Sequence, residues 1–206
     1  DTARDPRWGR VSETCGEDPY LDALCVAAQV HGFQGRDPAA PDRVGACLKH
    51  FAGYSAVTGG RDYNETEVSD WTLRNLHLVP FRAGVRAGAL AVMSSFNPID
   101  GITTVANHRM LTDILRGEWS FGGFVVSDWN TVGESITWGF AKDATDAAAR
   151  ALAAGNDIDM CSGLYEKGLT AALKDGRVPR AVLDEAVRRV LAAKFRLGLF
   201  DRPYVD

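Results

Sequence analysis

Charged and aromatic side chains follow two short apolar runs of the sequence. Asp128 and Trp129 come directly after "GFVVS", and Lys49 and His50 lie within "VGACLKHF". Arg10 closes a third segment, "RDPRWGR". Charged groups hydrogen-bond hydroxyls strongly, and an indole offers an apolar face to the C–H side of a sugar ring. A cleft built from these residues would suit a neutral ligand rich in hydroxyls.

Asp128 is the candidate nucleophile of this set. A carboxylate flanked by lysine, arginine and histidine is expected to stay ionised, because nearby positive charge favours the charged form. An ionised, immobile carboxylate is what glycoside hydrolysis requires of its nucleophile. An aspartate at the end of a strand can also simply cap the next helix, so for Asp128 taken alone that interpretation stays open.

Lys49 and His50 have rival interpretations. A lysine on a barrel strand can form a Schiff base if burial lowers its pKa, but a neighbouring carboxylate would keep the amine charged. His50 could bind a metal, yet no second histidine or cysteine stands at ligand spacing, which favours a hydrogen-bonding role. The sequence therefore predicts neither a metal site nor an organic cofactor.

The composition is that of a globular protein with no nucleic-acid or membrane partner. The 206 residues are 46% hydrophobic and 24% charged, with a formal charge of −4 and no cluster of basic residues. No apolar run approaches the roughly 18–20 residues of a membrane span. The four cysteines form no CxxC pair, so we expect unbridged structural thiols, with Cys47 buried on a strand.

Short apolar segments alternate with helical patterns along the chain. Strands are predicted over 44–51, 89–97, 124–129 and 157–161. Helices are predicted over 21–35, 69–88 (with Ser69 as N-cap and a kink at Pro80), 108–119, 143–155, 165–176 and 179–200. This alternation is typical of βα units around a parallel sheet. An open doubly wound sheet would also fit, but no GxGxxG motif follows a strand, so a dinucleotide site has no support.

The expected fold class is α/β, specifically a TIM-like (β/α)₈ barrel that is incomplete in this chain. Four clear strands are too few for a closed barrel, which typically needs about 250 residues. We therefore expect residues 1–206 to be the C-terminal part of a barrel domain whose first strands precede residue 1. In such barrels function gathers at the C-terminal ends of the strands, where the candidate residues lie.

A set of motifs resembles glycoside hydrolase family 3, in particular its bacterial β-glucosidase branch. The motifs are "RDPRWGR", "GEDPYL", "LKHFAGY", "GGRDYNETEVS", "VMSSFNPIDG", "GFVVSDW" and "KFRLGLFD", and they extend from one end of the chain to the other. The family's hexosaminidase branch carries a histidine in the loop after "KHF". Here the corresponding loop, residues 52–69, contains none.

By this resemblance Asp128 is the catalytic nucleophile. The resemblance also implies that six residues form the −1 sugar subsite: Arg10, Lys49, His50, Met93, Phe96 and Trp129. Phe96 stands where many members carry tyrosine, so a phenolic hydrogen bond would be lost. Glu13 and Glu17 are expected to pair with Arg10 or Arg7 and to orient them.

The resemblance implies a retaining exo-β-glucosidase that forms a covalent glycosyl-enzyme on Asp128. It also implies a sugar-gripping aspartate before residue 1 and an acid/base glutamate from an αβα sandwich domain after residue 206. The substrate would be a β-glucoside or oligosaccharide, and the compartment periplasmic or extracellular. β-Xylosidase or α-arabinofuranosidase activity stays open, as does an inactive carbohydrate-binding fragment.

Overall fold

The computed structural model describes residues 1–204 and contains five strands. They are β1 (Cys47–Phe51), β2 (Ala91–Ser94), β3 (Pro98–Ile99), β4 (Ile102–Thr103) and β5 (Phe124–Ser127). β1, β2 and β5 form a parallel sheet in the order β1-β2-β5, while β3 and β4 form a small antiparallel hairpin. Leu48 lies opposite Val92, and Val92 opposite Val125. The predicted parallel α/β arrangement is confirmed.

Helices surround the sheet. They are α1 (Pro19–Gln34), α2 (Asp70–Thr72), α3 (Leu78–Arg86), α4 (Thr131–Thr137), α5 (Ala144–Ala154), α6 (Leu164–Lys174) and α7 (Arg180–Arg196). Local signals explain several of their ends. The Asp18 carboxylate accepts hydrogen bonds from the first backbone amides of α1, and Asp143 does the same for α5. Gly155 ends α5 in the left-handed conformation, at φ 106°. The sequence missed α4 and the β3–β4 hairpin.

Two predicted helices contain wider, π-helical turns. Ser69 caps α2 as expected, but the irregularity lies at Leu73–His77, before Pro80 rather than at it. Because proline has no N–H, the turn that precedes it lacks a regular hydrogen bond, and a wider turn there accommodates the loss. The segment Arg109–Glu118 is π-helical over its whole length.

The predicted fourth strand, 157–161, is wrong as a regular strand. It is reduced to one parallel bridge between Val126 and Ile158. The Asp157 carboxylate accepts the hydrogen bond of the Val125 amide at 2.8 Å, and the Ser127 hydroxyl accepts that of the Met160 amide at 2.8 Å. Side chains therefore replace part of the backbone ladder, although the segment still lies beside β5.

The main core packs helices against the sheet. Its fully buried members include Phe51, Val92, Val125, Leu111 and Ile114. A second core joins α5, α6 and α7 through small side chains. The main core, which contains residues of β1, β2 and β5, fixes the direction in which these strands end.

The sheet is open at β1. Cys47 is exposed there, so the expectation that it is buried is wrong. Successive side chains of β1 point to opposite faces of the sheet, and Cys47 and Lys49 share the exposed face. All four cysteines are free. Within residues 1–204, no helix combines the length and the apolarity that crossing a membrane requires.

Candidate active site

The candidate residues converge at the C-terminal ends of the sheet strands. Lys49 and His50 lie on β1, Met93 lies on β2 opposite Val126, and Asp128 follows β5. Arg10 precedes the 3₁₀ turn Val11–Glu13 and reaches His50 from there. Parallel strands bring their carboxyl ends to one edge, and this brings together residues about 120 positions apart in the chain.

One oxygen of the Asp128 carboxylate is anchored and the other is free. Oδ1 accepts a hydrogen bond from the Trp129 amide at 2.7 Å. Oδ2 is buried and has no hydrogen-bond partner among the described residues. Its nearest basic neighbour is His50, whose Nε2 lies 3.4 Å away. Asp128 does not cap α4, whose N-cap is Asn130. A buried carboxylate oxygen without a partner calls for an explanation, and a catalytic role is one explanation.

His50 is almost completely buried, with 2% of its side chain exposed. Its Nδ1 lies 2.8 Å from Oδ2 of Asp1, and its Nε2 lies 2.9 Å from Nη2 of Arg10. The pKa of His50 is lowered to about 3, mainly by burial and then by the Arg10 charge, while the Asp128 carboxylate opposes the shift. His50 is therefore a neutral group, and the expectation that it adds positive charge beside Asp128 is wrong.

Glu13 binds both remaining cations of the site. It forms a two-bond contact with Arg10, at 2.7 and 3.0 Å, and accepts a hydrogen bond from Lys49 Nζ at 2.7 Å. Hydrogen bonding to Arg10 is the main cause that lowers the pKa of Glu13 to about 2. The predicted pairing of Glu13 with Arg10 is confirmed. Since the Lys49 ammonium is in an ion pair, the amine is unsuited to Schiff-base formation.

Phe96 belongs to an aromatic cluster behind the site. Its ring lies 4.6 Å from Tyr63 and 5.6 Å from Tyr54, centroid to centroid. Trp8 packs edge-on against Tyr54 at 5.3 Å, and its Nε1 donates to Asp62 at 2.9 Å. This cluster ties the "RDPRWGR" segment to the loop after β1. Sequence reasoning did not single out Tyr54 or Tyr63, although both lie in quoted motifs.

Trp129, Met93 and Glu134 complete the surroundings. Trp129 is 64% exposed, so its ring lies at the surface beside Asp128, while Met93 is half-buried. Glu134, on α4, was not predicted. Burial raises its pKa to about 7, and the charge of Asp128 adds to the rise. Within residues 1–204, no group of three or more His, Cys, Asp and Glu side chains is arranged to hold a metal ion.

A family comparison identifies the architecture. Residues 1–193 match the family described as "Glycosyl hydrolase family 3 N terminal domain". The chain belongs to glycoside hydrolase family 3. Among relatives, it is 43% identical over 204 residues to a periplasmic β-glucosidase of Salmonella typhimurium, a match that covers 99% of this chain and 27% of the relative. It is 40% identical over 210 residues to a putative β-xylosidase of Formosa agariphila, covering 100% of this chain and 28% of the relative.

Solved structures of the family agree in fold. A β-glucosidase from Listeria innocua in complex with glucose superposes with a TM-score of 0.96 at 40% identity. That match covers 99% of this chain and 29% of the Listeria chain. This family 3 chain thus spans 27–29% of the length of these three relatives.

Proposed function

We propose that this chain carries the nucleophile and the sugar-binding residues of a retaining exo-β-glucosidase. The observation that carries the proposal is the Asp128 carboxylate, with one oxygen fixed by the Trp129 amide and the other buried without a partner among residues 1–204. A nucleophile must be held still without being blocked. The membership of family 3 and the β-glucosidase relatives support the reaction class.

In the proposed reaction, Asp128 attacks the anomeric carbon of a terminal β-glucosyl unit. The C–O bond to the aglycone breaks, the leaving oxygen takes a proton, and a glycosyl ester forms on Asp128. Water then cleaves that ester. Arg10, Lys49 and His50 hydrogen-bond the sugar hydroxyls, Met93 and Phe96 line the −1 subsite, and the exposed Trp129 lies at its entrance. Both ring nitrogens of His50 already have partners, so a hydroxyl that binds Nε2 must compete with Arg10.

The proton donor of the proposed reaction comes from a segment outside residues 1–206. Retaining hydrolysis needs two carboxyl groups about 5–5.5 Å apart. Glu65 and Glu67 lie in the loop after β1, in a groove with Trp138 rather than beside Asp128. We propose that a following domain supplies the acid, as the greater length of the relatives allows. The longer protein with that domain is called the full-length protein below.

The proposed barrel is incomplete within this chain. Beside the open edge of β1 lies a cavity of about 370 Å³, lined by Val30, Ala46 and Phe81 among others. On the far side, a groove of about 410 Å³ runs between Ile158 and the apolar face of α7, which includes Val187 and Leu191. A closed barrel has no free edge. We propose that further barrel strands pack at both openings.

The nucleophile proposal is tested by Asp128→Asn in the full-length protein. We expect turnover of an aryl β-glucoside to fall by a factor of at least about 10³, because a neutral amide cannot form the glycosyl ester. Binding of glucose should be largely kept. The matched control is Asp113→Asn, which alters an exposed aspartate on the Arg109–Glu118 segment. Near-normal turnover in Asp128→Asn would refute the assignment.

A non-catalytic, carbohydrate-binding fragment is the second candidate for the 206-residue chain itself. General acid–base assistance is worth about 10²–10⁴-fold, so without its acid this chain should turn over an aryl β-glucoside very slowly. A substrate with an activated aryl leaving group needs little acid and is the lenient test. Full turnover of a glucoside with a poor leaving group by the isolated chain would contradict an external acid.

β-Xylosidase activity is the alternative within the family, because a 40% identical relative is named a putative β-xylosidase. Comparing kcat/KM for the matched aryl β-glucoside and β-xyloside decides between them, since the two sugars differ only in the hydroxymethyl group. We further propose a periplasmic location, in line with the periplasmic β-glucosidases among the relatives.

A further inference from the structure

Asp1 makes a contact that the proposed reaction does not use. Its carboxylate Oδ2 lies 2.8 Å from Nδ1 of His50 and 3.1 Å from the His50 backbone nitrogen. The two side chains are only 4% and 2% exposed. One oxygen therefore receives two donors from the same residue and fixes both its backbone and its ring.

The partners of His50 select one protonation state of the ring. A guanidinium has donors only, so Nε2, which faces Arg10 at 2.9 Å, must act as an acceptor and carry no hydrogen. An ionised carboxylate has acceptors only, so Nδ1, which faces Asp1, must carry the hydrogen. The two contacts together require the neutral Nδ1–H tautomer. The burial that lowers the pKa of His50 supports the neutral form.

This tautomer determines what Asp128 encounters. Nε2 lies 3.4 Å from Asp128 Oδ2. If Nε2 carried a hydrogen, it could donate to that oxygen. A hydrogen bond to an ionised group stabilises it, and here it would stabilise the nucleophile before reaction. With the lone pair on Nε2 directed to Arg10, Oδ2 has no partner among residues 1–204.

We propose that Asp1 is a positioning residue that holds His50 in the Nδ1–H tautomer and so keeps Oδ2 of Asp128 free to attack. The functional part of this inference rests on the function proposed above. The tautomer itself does not, and can be measured on the 206-residue chain. Asp1 needs no contact with the sugar for this role. It acts through His50.

The test compares Asp1→Ala with Asp1→Asn. Alanine removes the acceptor. Asparagine keeps one, because its amide oxygen can take the place of Oδ2 and receive both donors of His50. If setting the tautomer is the role of Asp1, Asp1→Asn retains the Nδ1–H form, whereas Asp1→Ala, in which Arg10 alone faces the ring, gains a population of the Nε2–H form. Asp5→Ala is the control on the same segment, because the Asp5 carboxylate contacts Arg7 instead.

The direct readout is nitrogen NMR of the imidazole rings. The chain has four histidines, and the signals of His50 are assigned by their loss in His50→Gln. Protonated and unprotonated ring nitrogens resonate far apart, so the tautomer is read from the spectrum. His77, a second buried histidine, is the internal reference. We expect Nδ1–H in the wild type, Asp1→Asn and Asp5→Ala, and a population with Nε2–H in Asp1→Ala.

The second readout is kinetic and uses the full-length protein. We expect Asp1→Ala to lower kcat for an aryl β-glucoside about 10- to 100-fold, the effect of one hydrogen bond to a charged group, with a smaller change in KM. Asp1→Asn should stay within about threefold of wild type. A purely electrostatic role of Asp1 would instead make both variants equally poor, and that result would overturn the proposal.

The outcomes separate this inference from the proposed function. An unchanged tautomer in Asp1→Ala overturns the inference, whether or not the protein hydrolyses glucosides. If Asp1→Ala does not fold, the tautomer in Asp1→Asn tests the inference. Loss of the Nδ1–H form in Asp1→Asn would overturn it as well. If the tautomer shifts as expected but the wild-type full-length protein cleaves no glycoside, the proposed function fails while the positioning role of Asp1 stands.

Discussion

Asp157→Ala should be one of the most destabilising single substitutions in this chain. The Asp157 side chain is 1% exposed. Its Oδ2 accepts from Arg116 at 2.6 Å and from the Val125 amide at 2.8 Å, and its Oδ1 accepts from Arg189 at 2.9 Å. One carboxylate thus joins β5 to the Arg109–Glu118 segment and to α7. Burial raises the pKa of Asp157 while Arg116 opposes the rise, so the ion pair is also expensive to desolvate.

The expected loss follows from what the substitution leaves behind. Removing one partner of a buried ion pair typically costs about 3–5 kcal/mol. Arg116 keeps two carbonyl acceptors at 3.1 Å, from Gly123 and Gly155, and Arg189 keeps Glu185 at 3.3 Å. We therefore expect the lower limit, about 3 kcal/mol. At about 2–4 °C per kcal/mol for a domain of this size, Tm should fall by about 6–12 °C.

The assay is reversible urea and thermal unfolding of the 206-residue chain. Asp175→Ala, which removes an exposed partner of Arg177, is the control and should leave Tm almost unchanged. The double variant Arg116→Met with Asp157→Ala should recover part of the loss, because it leaves no unpaired charge beside β5. Two results would refute this role of the Asp157 ion pairs. One is a Tm for Asp157→Ala equal to that of the control. The other is a loss of stability in the double variant that exceeds the sum of the losses in the two single variants.

Two further predictions concern charges near the site. Glu13→Gln should raise KM for an aryl β-glucoside by no more than about fivefold, because Arg10 and Lys49 lose a half-exposed anchor. Steady-state kinetics of the full-length protein measures KM and kcat, and kcat should stay nearly constant. A loss of kcat above about tenfold would contradict this minor role of Glu13. Burial, and after it the charge of Asp128, raises the pKa of Glu134 in the folded state from 4.5 to about 7. Between these pH values Glu134 binds more protons in the folded state than in the unfolded state, so its contribution to stability falls as pH rises from 4.5 to about 7. The Tm of Glu134→Gln should therefore equal that of wild type below pH 4.5 and exceed it above pH 7; a constant difference across that range would contradict the assignment.

Much of the fold could be predicted because its signals are local. Ser69, Asp143 and Gly155 mark helix ends through contacts with residues a few positions away. The apolar runs before His50 and Asp128 mark strands that end at one edge. The segment 157–161 was predicted wrongly because a side chain competes with the backbone for hydrogen bonds. The Asp157 carboxylate takes a ladder amide of β5, which reduces the expected fourth strand to a single bridge.

The residues of the site could be predicted from the sequence, but most of the hydrogen bonds and ion pairs between them could not. The motifs indicated Arg10, Lys49 and His50, and the structure brings them together. The sequence predicts the pairing of Arg10 with Glu13. It does not predict the partners of Lys49 and His50, because Glu13 and Asp1 lie 36 and 49 positions from these groups on β1. Burial, which only the fold provides, makes His50 neutral and so removes the positive charge that was expected of it.

The central claim, that Asp128 is the nucleophile of a retaining glycosidase, is tested most directly by trapping its covalent intermediate. A 2-fluoroglucoside with an activated aryl leaving group should form the glycosyl ester faster than water cleaves it. The fluorine destabilises the oxocarbenium-like transition states of ester formation and of ester hydrolysis, and the activated leaving group compensates only in ester formation. We expect peptide mass spectrometry of the treated full-length protein to find one fluoroglucosyl group, bound to Asp128, and none in Asp128→Asn. A label on a different residue, or an unchanged label in Asp128→Asn, would contradict it.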